Sequence, residues 1–413
     1  MTGGFELATR RGCRYVVSAD DDVTFERQAV RDGDELTVGA MTVKVMATPG
    51  HTDTHLSYVV SDGVEGVPAV FTGGSLLYGS VGRTDLVDPA RTDELTRAQF
   101  RSARRLAAEL PDETQIYPTH GFGSFCSSGS AAGGDGGTIG GEKERNDALV
   151  SDDEDSFVET LIANLTAYPA YYAHMGPLNR QGPGPADLTP PAQLTPKDLR
   201  DRIEAGEWVV DLRDRTAYAA EHLRGSIGIA LGQQFSTYLG WLIPWGAPLT
   251  LIGASADDVS TAQRDLTRIG IDRLEGAATG SASDLDASGD PASYPRVTFE
   301  DLPDEVRRRI QTGAAGGSGD ERDSATPERS EPVILDVRRD DERANGAIPG
   351  SAHIPMHALL QRLDDLPQGQ LWVHCASGFR ASIAASLLDR AGHDVVFIDD
   401  SYDNAVKAGL ATG

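Results

Sequence analysis

The sequence predicts an α/β protein with more than one domain. At 413 residues the chain is too long for one ordinary hydrophobic core, so two or three domains are expected. In its rear half, short apolar runs alternate with segments of helical periodicity, which is typical of parallel sheets covered by helices. Two segments there also resemble each other, because 208–213 (WVVDLR) and 333–338 (VILDVR) both end in Asp-x-Arg and precede a Gly-Ser turn. This repetition indicates a duplicated domain.

Shifts in composition set the domain limits. The proline-rich stretch 176–196 predicts an extended linker, and the glycine-rich, charged stretch 313–331 predicts a disordered insertion. A third glycine-rich stretch, 129–141, predicts a loop within the front domain. We therefore expect domains at 1–178, 190–284 and 295–413.

Individual elements follow from local signals. The front domain has short β-rich runs at 42–46, 69–70 and 115–116. Thr195 and Pro196 form a helix start, with an N-cap hydroxyl and proline at the first position. Residues 257–269 and 381–391 carry helical spacing of apolar residues, and a glycine follows each of them.

The charge of the chain excludes several kinds of partner. It carries 37 basic and 63 acidic side chains, a net charge of -26, which argues against nucleic acid and anionic membranes as partners. All but four of the basic residues are arginine, and such an acidic, lysine-poor surface suits a halophilic cytoplasm. The longest apolar run, 241–254, is broken by Pro244 and Pro248, so no membrane span is expected. Three scattered cysteines form neither a disulfide framework nor a metal cluster, and we predict a cytoplasmic protein.

The stretch VHCASGFRAS, 373–382, places a lone cysteine between an apolar strand and a helix that we expect from Ser382 onward. Backbone N–H groups at a helix N-terminus have no intrahelical partner, and with the helix dipole they favour a thiolate over a thiol. Arg380 adds a fixed charge that suits an oxyanion such as sulfite or thiosulfate. The alternative is that Cys375 is a small, inert core residue. A reactive Cys375 is favoured because a strand-Cys-x-x-Gly-x-Arg-helix pattern is uncommon by chance. The spacing separates this loop from that of cysteine phosphatases, which have a longer loop between Cys and Arg.

This loop resembles the active-site loop of rhodanese sulfurtransferases, and LDVR (335–338) and GAIPGSAHIP (346–355) resemble their flanking motifs. The resemblance implies that Cys375 attacks a sulfane sulfur and holds it as a persulfide, without a cofactor. It then passes the sulfur to an acceptor such as cyanide, a thiol or sulfite. The residues implied are Cys375 and Arg380 as catalytic groups, with Ala376, Ser377, Gly378 and Phe379 binding the substrate.

The paired motifs around that loop suggest further assignments. Asp336 and Arg338 are expected to pair and to fix the loop without taking part in catalysis. The middle domain resembles a second rhodanese domain, but it reads Gly-Ala-Ser-Ala-Asp at 253–257, where the cysteine loop should fall. We expect it to be a scaffold or docking domain.

The front domain carries three motifs at strand ends, ATPGHTDTH (47–55), FTGGSLL (71–77) and YPTHGFGSFC (117–126). Together with VGRTDL (81–86) they resemble metallo-β-lactamase-fold hydrolases of the branch that contains glyoxalase II and persulfide dioxygenase. The resemblance implies an αββα sandwich and a site for iron or zinc. The domain order is similar to that of persulfide dioxygenase-sulfurtransferase fusions.

Two departures from that family weaken the metal site. Its main ligand cluster would lie upstream of Gly3, so we expect a front domain that lacks its N-terminal part and a start assigned too late. Position 74 is Gly where the family has a metal-ligating Asp. His51 and His120 are the candidate ligands, with His55 a weaker one. The alternative is that these are loop histidines bonded to the backbone.

Three readings of the function stay open at the level of the sequence. The first is a sulfurtransferase that uses a small-molecule sulfur donor and a thiol or sulfite acceptor. The second is a metallohydrolase or persulfide dioxygenase of glyoxalase II type, and the third is a sulfur carrier or scaffold without catalysis. Nothing in the sequence fixes the oligomeric state.

Overall fold

The computed structural model describes residues 3–62, 66–119, 137–312 and 332–412. Its contacts divide the chain into two compact units, Met1–Pro185 and Ala186–Gly413. His120, the expected insertion at 313–331 and most of the glycine-rich stretch 129–141 lie outside the described residues.

The first unit is built on a mixed sheet. Its strands follow one another in the order β3-β4-β5-β6-β7-β8, and all pairs are antiparallel except β6 with β7. A separate parallel pair is formed by β1 and β2. The strands are β1 (Val16–Ser18), β2 (Gln28–Val30), β3 (Glu35–Val38), β4 (Met41–Ala47), β5 (Leu56–Ser61), β6 (Ala69–Gly73), β7 (Gln115–Pro118) and β8 (Gly137–Thr138). The β-rich runs expected at 42–46, 69–70 and 115–116 are confirmed as β4, β6 and β7.

The first unit also contains helices, several of which share the core of this sheet. They are α1 (Gly3–Arg11), α2 (Thr92–Glu109), α3 (Ile139–Arg145), α4 (Asp147–Val150), α5 (Glu154–Ala163) and α6 (Tyr172–Gln181), with a 3₁₀ turn at Pro89–Arg91. Buried residues of α2, such as Phe100 and Leu106, share a core with Val70 of β6 and Ile116 of β7. This burial of apolar side chains stabilises the packing of α2 on the sheet.

The second unit contains two sheets in which every strand pair is parallel. One has the order β10-β9-β11-β12 and the other the order β13-β17-β16-β14-β15. The strands are β9 (Trp208–Asp211), β10 (Ile227–Gly228), β11 (Leu249–Gly253), β12 (Leu274–Thr279), β13 (Arg296–Val297), β14 (Val333–Asp336), β15 (Ala352–His353), β16 (Leu371–His374) and β17 (Val395–Ile398). The predicted α/β class and the two repeated Asp-x-Arg strands, β9 and β14, are thus confirmed.

Helices connect these parallel strands. They are α7 (Pro196–Glu204), α8 (Arg215–Ala220), α9 (Phe235–Leu242), α10 (Ala256–Arg268), α11 (Ala282–Leu285), α12 (Asp304–Thr312), α13 (Asp340–Ala344), α14 (Phe379–Arg390) and α15 (Tyr402–Lys407). Shorter 3₁₀ turns lie at Phe299–Asp301, Met356–Gln361 and Leu363–Asp365. The helix start expected at Thr195 is confirmed, because its side chain accepts from Asp198 N in a capping box.

Three sequence predictions of local structure are wrong. Residues 176–181 continue α6 rather than a linker, because a single proline did not stop the helix and Leu, Arg and Gln extend it. Residues 137–141 form β8 and the start of α3, where Thr138 accepts from Gly141 N and caps the helix. Helix α14 begins at Phe379 rather than at Ser382, so Arg380 lies in its first turn.

Among the described residues, the helices fall short of the length and apolar character that a membrane crossing requires. The apolar run 241–254 is divided between the end of α9 and strand β11.

Candidate active site

Cys375 directly follows β16, a strand in which all four residues are buried. β16 pairs with β14 on one side and β17 on the other, so the cysteine lies at the carboxyl edge of the sheet's interior. Four residues later α14 begins, and the first backbone N–H groups of this helix have no intrahelical partner. The structure thus confirms the strand-loop-helix arrangement expected around Cys375, with a shorter loop than expected.

Gly378 lets the chain turn from this loop into α14. It has φ = +85°, a left-handed conformation that favours glycine, and it is the N-cap of the helix. A Cβ at this position would lie 2.4 Å from Asp399 Oδ1. Both the backbone angle and the close approach of Asp399 therefore require glycine at this position.

Arg380 points to a partner within the protein. Its Nη1 and Nη2 donate to Oε2 and Oε1 of Glu342 at 2.5 and 2.7 Å, a bidentate pair. Burial disfavours the charge of the guanidinium, but the bonds to Glu342 outweigh this effect and raise the pKa of Arg380. Burial likewise acts against Glu342, yet Arg380 lowers the pKa of that carboxyl. The oxyanion contact expected from the sequence must therefore compete with Glu342.

Glu342, the partner of Arg380, is a residue of the candidate site that the sequence reasoning missed. It lies in α13, which follows β14, while Arg380 follows the neighbouring strand β16. Because adjacent parallel strands end at the same edge, an acidic residue in the first turn after β14 was a signal for this pairing.

Asp336 and Arg338 form the expected pair at the end of β14. Arg338 donates from its backbone N and Nε to Asp336 Oδ1 and from Nη2 to Oδ2, at 2.8 to 3.0 Å. Burial raises the pKa of Asp336, but the charge of His374 and the bonds from Arg338 outweigh it and bring the pKa to about 2. The Arg338 guanidinium also lies 3.7 Å from the ring centroid of Tyr402, whose N–H donates to Ala376 O. The pair is thus connected to the cysteine loop through Tyr402.

His374, next to the nucleophile, is fully enclosed. Its ring lies between Phe299 and Tyr402, with ring centroids 5.9 and 6.0 Å away. Among the described residues neither ring nitrogen makes a well-formed hydrogen bond, and Asp336 Oδ2 is 3.9 Å from Nε2. Burial lowers the pKa of His374 to about 4, so the ring is neutral at neutral pH.

Access to the loop is narrow. Cys375 is 1% exposed, and a cavity of about 10 Å³ lies beside Arg380. This cavity is lined by Arg339, Met356, His357 and Arg380 of the cysteine domain and by Tyr238 and Trp241 of α9. The volume is that of roughly one water molecule.

The corresponding loop of the middle domain has no cysteine, and a serine caps its helix. Residues 253–257 join β11 to α10, and Ser255 caps the helix by accepting from Asp258 N. Arg213 pairs with Asp211 through Nη2 and Oδ2 at 2.6 Å, as Arg338 does with Asp336. The framework of the site is repeated here without its thiol.

In the first unit, His55 is committed to hydrogen bonds. Its Nε2 accepts from Gly74 N at 3.2 Å, and its Nδ1 faces the hydroxyls of Ser75 and Thr48 at 2.9 and 3.0 Å. Burial and the neighbouring His51 lower the pKa of His55 to about 3. Both ring nitrogens are therefore used within the protein, and His55 is not placed to bind a metal.

His51 occupies the space that a ligand at position 74 would need. Its Nδ1–H donates to Arg83 O at 2.7 Å. A Cβ at Gly74 would lie 2.2 Å from His51 Cδ2, and one at Gly82 would lie 2.7 Å from Nδ1. In the part of the chain that the structure describes, no group of three or more His, Cys, Asp or Glu side chains is arranged to hold a metal ion. The described residues therefore do not fit iron or zinc.

Comparison with known proteins finds two kinds of similarity. Residues 323–408 match the family profile of the rhodanese-like domain. The chain is 39% identical over 95 residues to hydroxyacylglutathione hydrolase of Brucella anthropi, which covers 23% of this chain and 32% of that protein. It is 30% identical over 122 residues to the enzyme of the same name from Idiomarina loihiensis, covering 29% of this chain and 43% of that protein. The chain thus spans less than half of the length of these relatives.

A solved metallo-beta-lactamase from Staphylococcus aureus subsp. aureus COL is 29% identical, with a TM-score of 0.59. The alignment covers 67% of this chain and 80% of that one. Because Met1–Pro185 is less than half of the chain, this alignment also extends into the second unit. The chain therefore carries a rhodanese-like domain at residues 323–408, and it is similar to hydroxyacylglutathione hydrolases in sequence and to a solved metallo-beta-lactamase in fold.

Proposed function

We propose that the protein is a rhodanese-type sulfurtransferase of sulfane-sulfur metabolism, with Cys375 as its nucleophile. One observation carries the proposal: a lone cysteine lies between a buried central strand and the N-terminus of a 12-residue helix. The match of residues 323–408 to the rhodanese-like domain supports it. We further propose a cytoplasmic protein that uses a small sulfur donor, with a thiol, sulfite or cyanide as acceptor.

The transfer proceeds in two displacements at sulfur. The Cys375 thiolate attacks the outer sulfur of thiosulfate, the sulfur–sulfur bond breaks, and its electron pair leaves with sulfite. The product is a persulfide on Cys375. An acceptor anion then attacks the outer persulfide sulfur, and the electron pair of the broken bond returns to Cys375 as a thiolate. No net oxidation or reduction of the protein takes place over one cycle.

The charged groups around the loop are placed to stabilise the anions of this transfer. The bidentate bond from Glu342 fixes the Arg380 guanidinium in the first turn of α14, close to the cysteine. The helix N-terminus contributes positive potential to the anion that forms at Cys375. Both groups stabilise the thiolate and the departing sulfite more than a neutral thiol.

A second candidate, a metallohydrolase or persulfide dioxygenase, rests on the similarity to hydroxyacylglutathione hydrolases. Two of these match 95 and 122 residues of the chain at 39% and 30% identity. The packing of His51 against Gly74 and the bonds made by His55 leave this candidate without a described metal site. A third candidate, a carrier that holds a persulfide for another protein, requires the same Cys375 and no turnover.

Steady-state transfer separates these candidates. The full chain should convert thiosulfate and cyanide to thiocyanate and sulfite, and Cys375→Ser should abolish this activity. Cys13→Ser serves as the matched control, because Cys13 is an exposed free cysteine. Persulfide formation without turnover would favour the carrier. Hydrolysis of an acyl thioester or oxygen uptake with a thiol persulfide would favour the metal-dependent candidate.

A further inference from the structure

Helix α9 of the cysteine-free domain reaches the cysteine loop of the other domain in the same unit. The Tyr238 ring lies 5.6 Å from the ring of Phe379, which is the first residue of α14. Trp241 stacks on His357 with ring centroids 5.0 Å apart and an interplanar angle of 20°. The two aromatic rings of α9 also stack on each other, at 6.1 Å. They form a continuous aromatic wall, which we call the α9 wall, over one side of the loop.

The α9 wall limits the free space beside Arg380, in the first turn of α14. Tyr238 and Trp241 are 5% and 8% exposed, so the wall is itself buried. Both residues line the cavity of about 10 Å³ next to Arg380. The Tyr238 hydroxyl also lies within electrostatic range of Cys375 and Arg380, and burial raises its pKa, so it keeps its proton.

Hydrogen bonds join the domain that carries α9 to the cysteine domain. Arg215 Nε of the middle domain donates to Asp399 Oδ1 at 2.7 Å, and Asp399 is the residue that supports Gly378. His222 Nε2 lies 3.2 Å from Asp389 Oδ2 on α14. Arg390 Nη2, at the end of the same helix, donates to the backbone oxygens of residues 206 and 207 at 2.9 and 3.1 Å. These bonds hold together the two domains of the unit, one of which carries α9.

We propose that Tyr238 and Trp241 are specificity-determining residues, through which the cysteine-free domain restricts the sulfur acceptor to compact anions and excludes bulky thiols. The cavity is close to the size of one water, so an acceptor of a few atoms needs only small side-chain shifts, whereas a peptide thiol needs the wall to open. Arg339 and Arg380 bring two guanidinium groups to the cavity, where an anion shares them with Asp341 and Glu342, and the Tyr238 hydroxyl is a further donor. The domain without a nucleophile thus acts on the reaction as a size filter. This inference rests on the proposed sulfurtransferase function.

The test compares a small and a large acceptor. With thiosulfate as donor and the full chain, kcat/KM is measured for cyanide and for a tripeptide thiol in the wild type, Trp241→Ala and Trp245→Ala. We expect Trp241→Ala to raise the ratio of tripeptide thiol to cyanide by roughly tenfold or more, because a large void replaces the indole. Trp245, four residues along the chain and 39% exposed, does not line the cavity, so Trp245→Ala should keep the wild-type ratio.

Further measurements keep this test decisive. Tyr238→Phe keeps the ring and should leave the size ratio unchanged, and Trp241→Leu replaces Trp241→Ala if the alanine variant does not fold. Alkylation of Cys375 by iodoacetamide and by a bulky maleimide, in a Cys13→Ser, Cys126→Ser background, reports the filter without any transfer. The size filter is overturned if the wild type and Trp241→Ala have the same ratio of kcat/KM for the tripeptide thiol to kcat/KM for cyanide, and also the same ratio of alkylation rates. A different result overturns the proposed function but not the size filter. In it, no sulfur transfer is detected, while the ratio of maleimide to iodoacetamide alkylation is higher in Trp241→Ala than in the wild type.

Discussion

At the scale of single residues, the site has two carboxylate–arginine pairs near the ends of adjacent strands, one buried and one partly buried. Asp336 pairs with Arg338 after β14, and Glu342 of α13 pairs with Arg380 of α14. The first pair was expected from the Asp-x-Arg motif, because its members are two residues apart. The second joins residues 38 positions apart, and local patterns carry no information on such a distance. Neither pair contributes an atom that forms or breaks a bond in the transfer.

Glu342→Gln tests the second pair. Removal of the negative charge leaves the Arg380 guanidinium without its counterion, and we expect the free energy of unfolding to fall by roughly 1–2 kcal/mol. The KM for thiosulfate should fall as well, because the positive charge is no longer neutralised. Urea unfolding and steady-state kinetics measure the two effects. The control is Glu275→Gln, since Glu275 belongs to an exposed pair with Arg273, and it should change stability by less than about 0.5 kcal/mol.

The neutral state of His374 predicts a loss of stability in acid. Its folded pKa is about 4, below the ordinary value of 6.5, so the unfolded chain binds a proton that the folded chain does not. The stability supplied by this group is therefore complete above pH 6.5 and lost as the pH falls toward 4, by about 3 kcal/mol in total. His374→Phe should reduce the difference in unfolding free energy between pH 7 and pH 4.5. An unchanged pH dependence in this variant would contradict the assignment.

At the scale of elements, the boundary between the loop and α14 sets the geometry of the site. The sequence prediction began the helix at Ser382, because small residues before it look like a loop, and the structure begins it at Phe379. Gly378 marks the true boundary, since its φ of +85° ends the loop directly before the first helical residue. Helix α7 was predicted correctly because its Thr-Pro start is a strong local signal.

Substitutions at two glycines with similar backbone angles distinguish backbone strain from an effect on sulfur transfer. Gly378 and Gly392 have φ of +85° and +87°, so alanine at either should cost roughly 1–2 kcal/mol of stability. A Cβ at 378 would meet Asp399 at 2.4 Å, while at 392 nothing lies within 4 Å. We expect Gly378→Ala to lose sulfur transfer and Gly392→Ala to retain it. Similar kcat/KM values for the two variants would show that the loop geometry does not matter to transfer.

At the scale of the whole molecule, the first unit is built on a mixed sheet, and the second contains two parallel sheets that repeat the Asp-x-Arg strand, one of them in the rhodanese-like domain. The duplication and the fold class were predictable, because the Asp-x-Arg strands and the cysteine loop are local patterns. The role of α9 was not, because the sequence around Trp241 shows only an apolar run, and its contact with Phe379 and His357 is made between domains. The hydrogen bonds of His55 were equally hidden, since its partners come from two separate segments of the first unit, at Thr48 and at Gly74 and Ser75.

The packing around His51 predicts that the described residues of the first unit do not hold a catalytic metal. We expect purified full-length protein to contain far less than one iron or zinc per chain. Gly74→Asp should not restore binding, because a side chain at that position overlaps His51. His51→Ala should leave thiosulfate:cyanide transfer unchanged. Elemental analysis and calorimetric titration with Zn²⁺ and Fe²⁺ measure this, and saturable binding of one ion per wild-type chain would contradict it.

The central claim is that Cys375 carries sulfur covalently between two small molecules. Intact-protein and peptide mass spectrometry after a single addition of thiosulfate, followed by cyanide, tests this most directly. The account predicts that the peptide containing Cys375 gains one sulfur atom with thiosulfate, loses it to cyanide, and gains nothing in Cys375→Ser. If the added sulfur is found on another cysteine, or if Cys375 remains an unmodified thiol while thiocyanate is produced, the claim is contradicted.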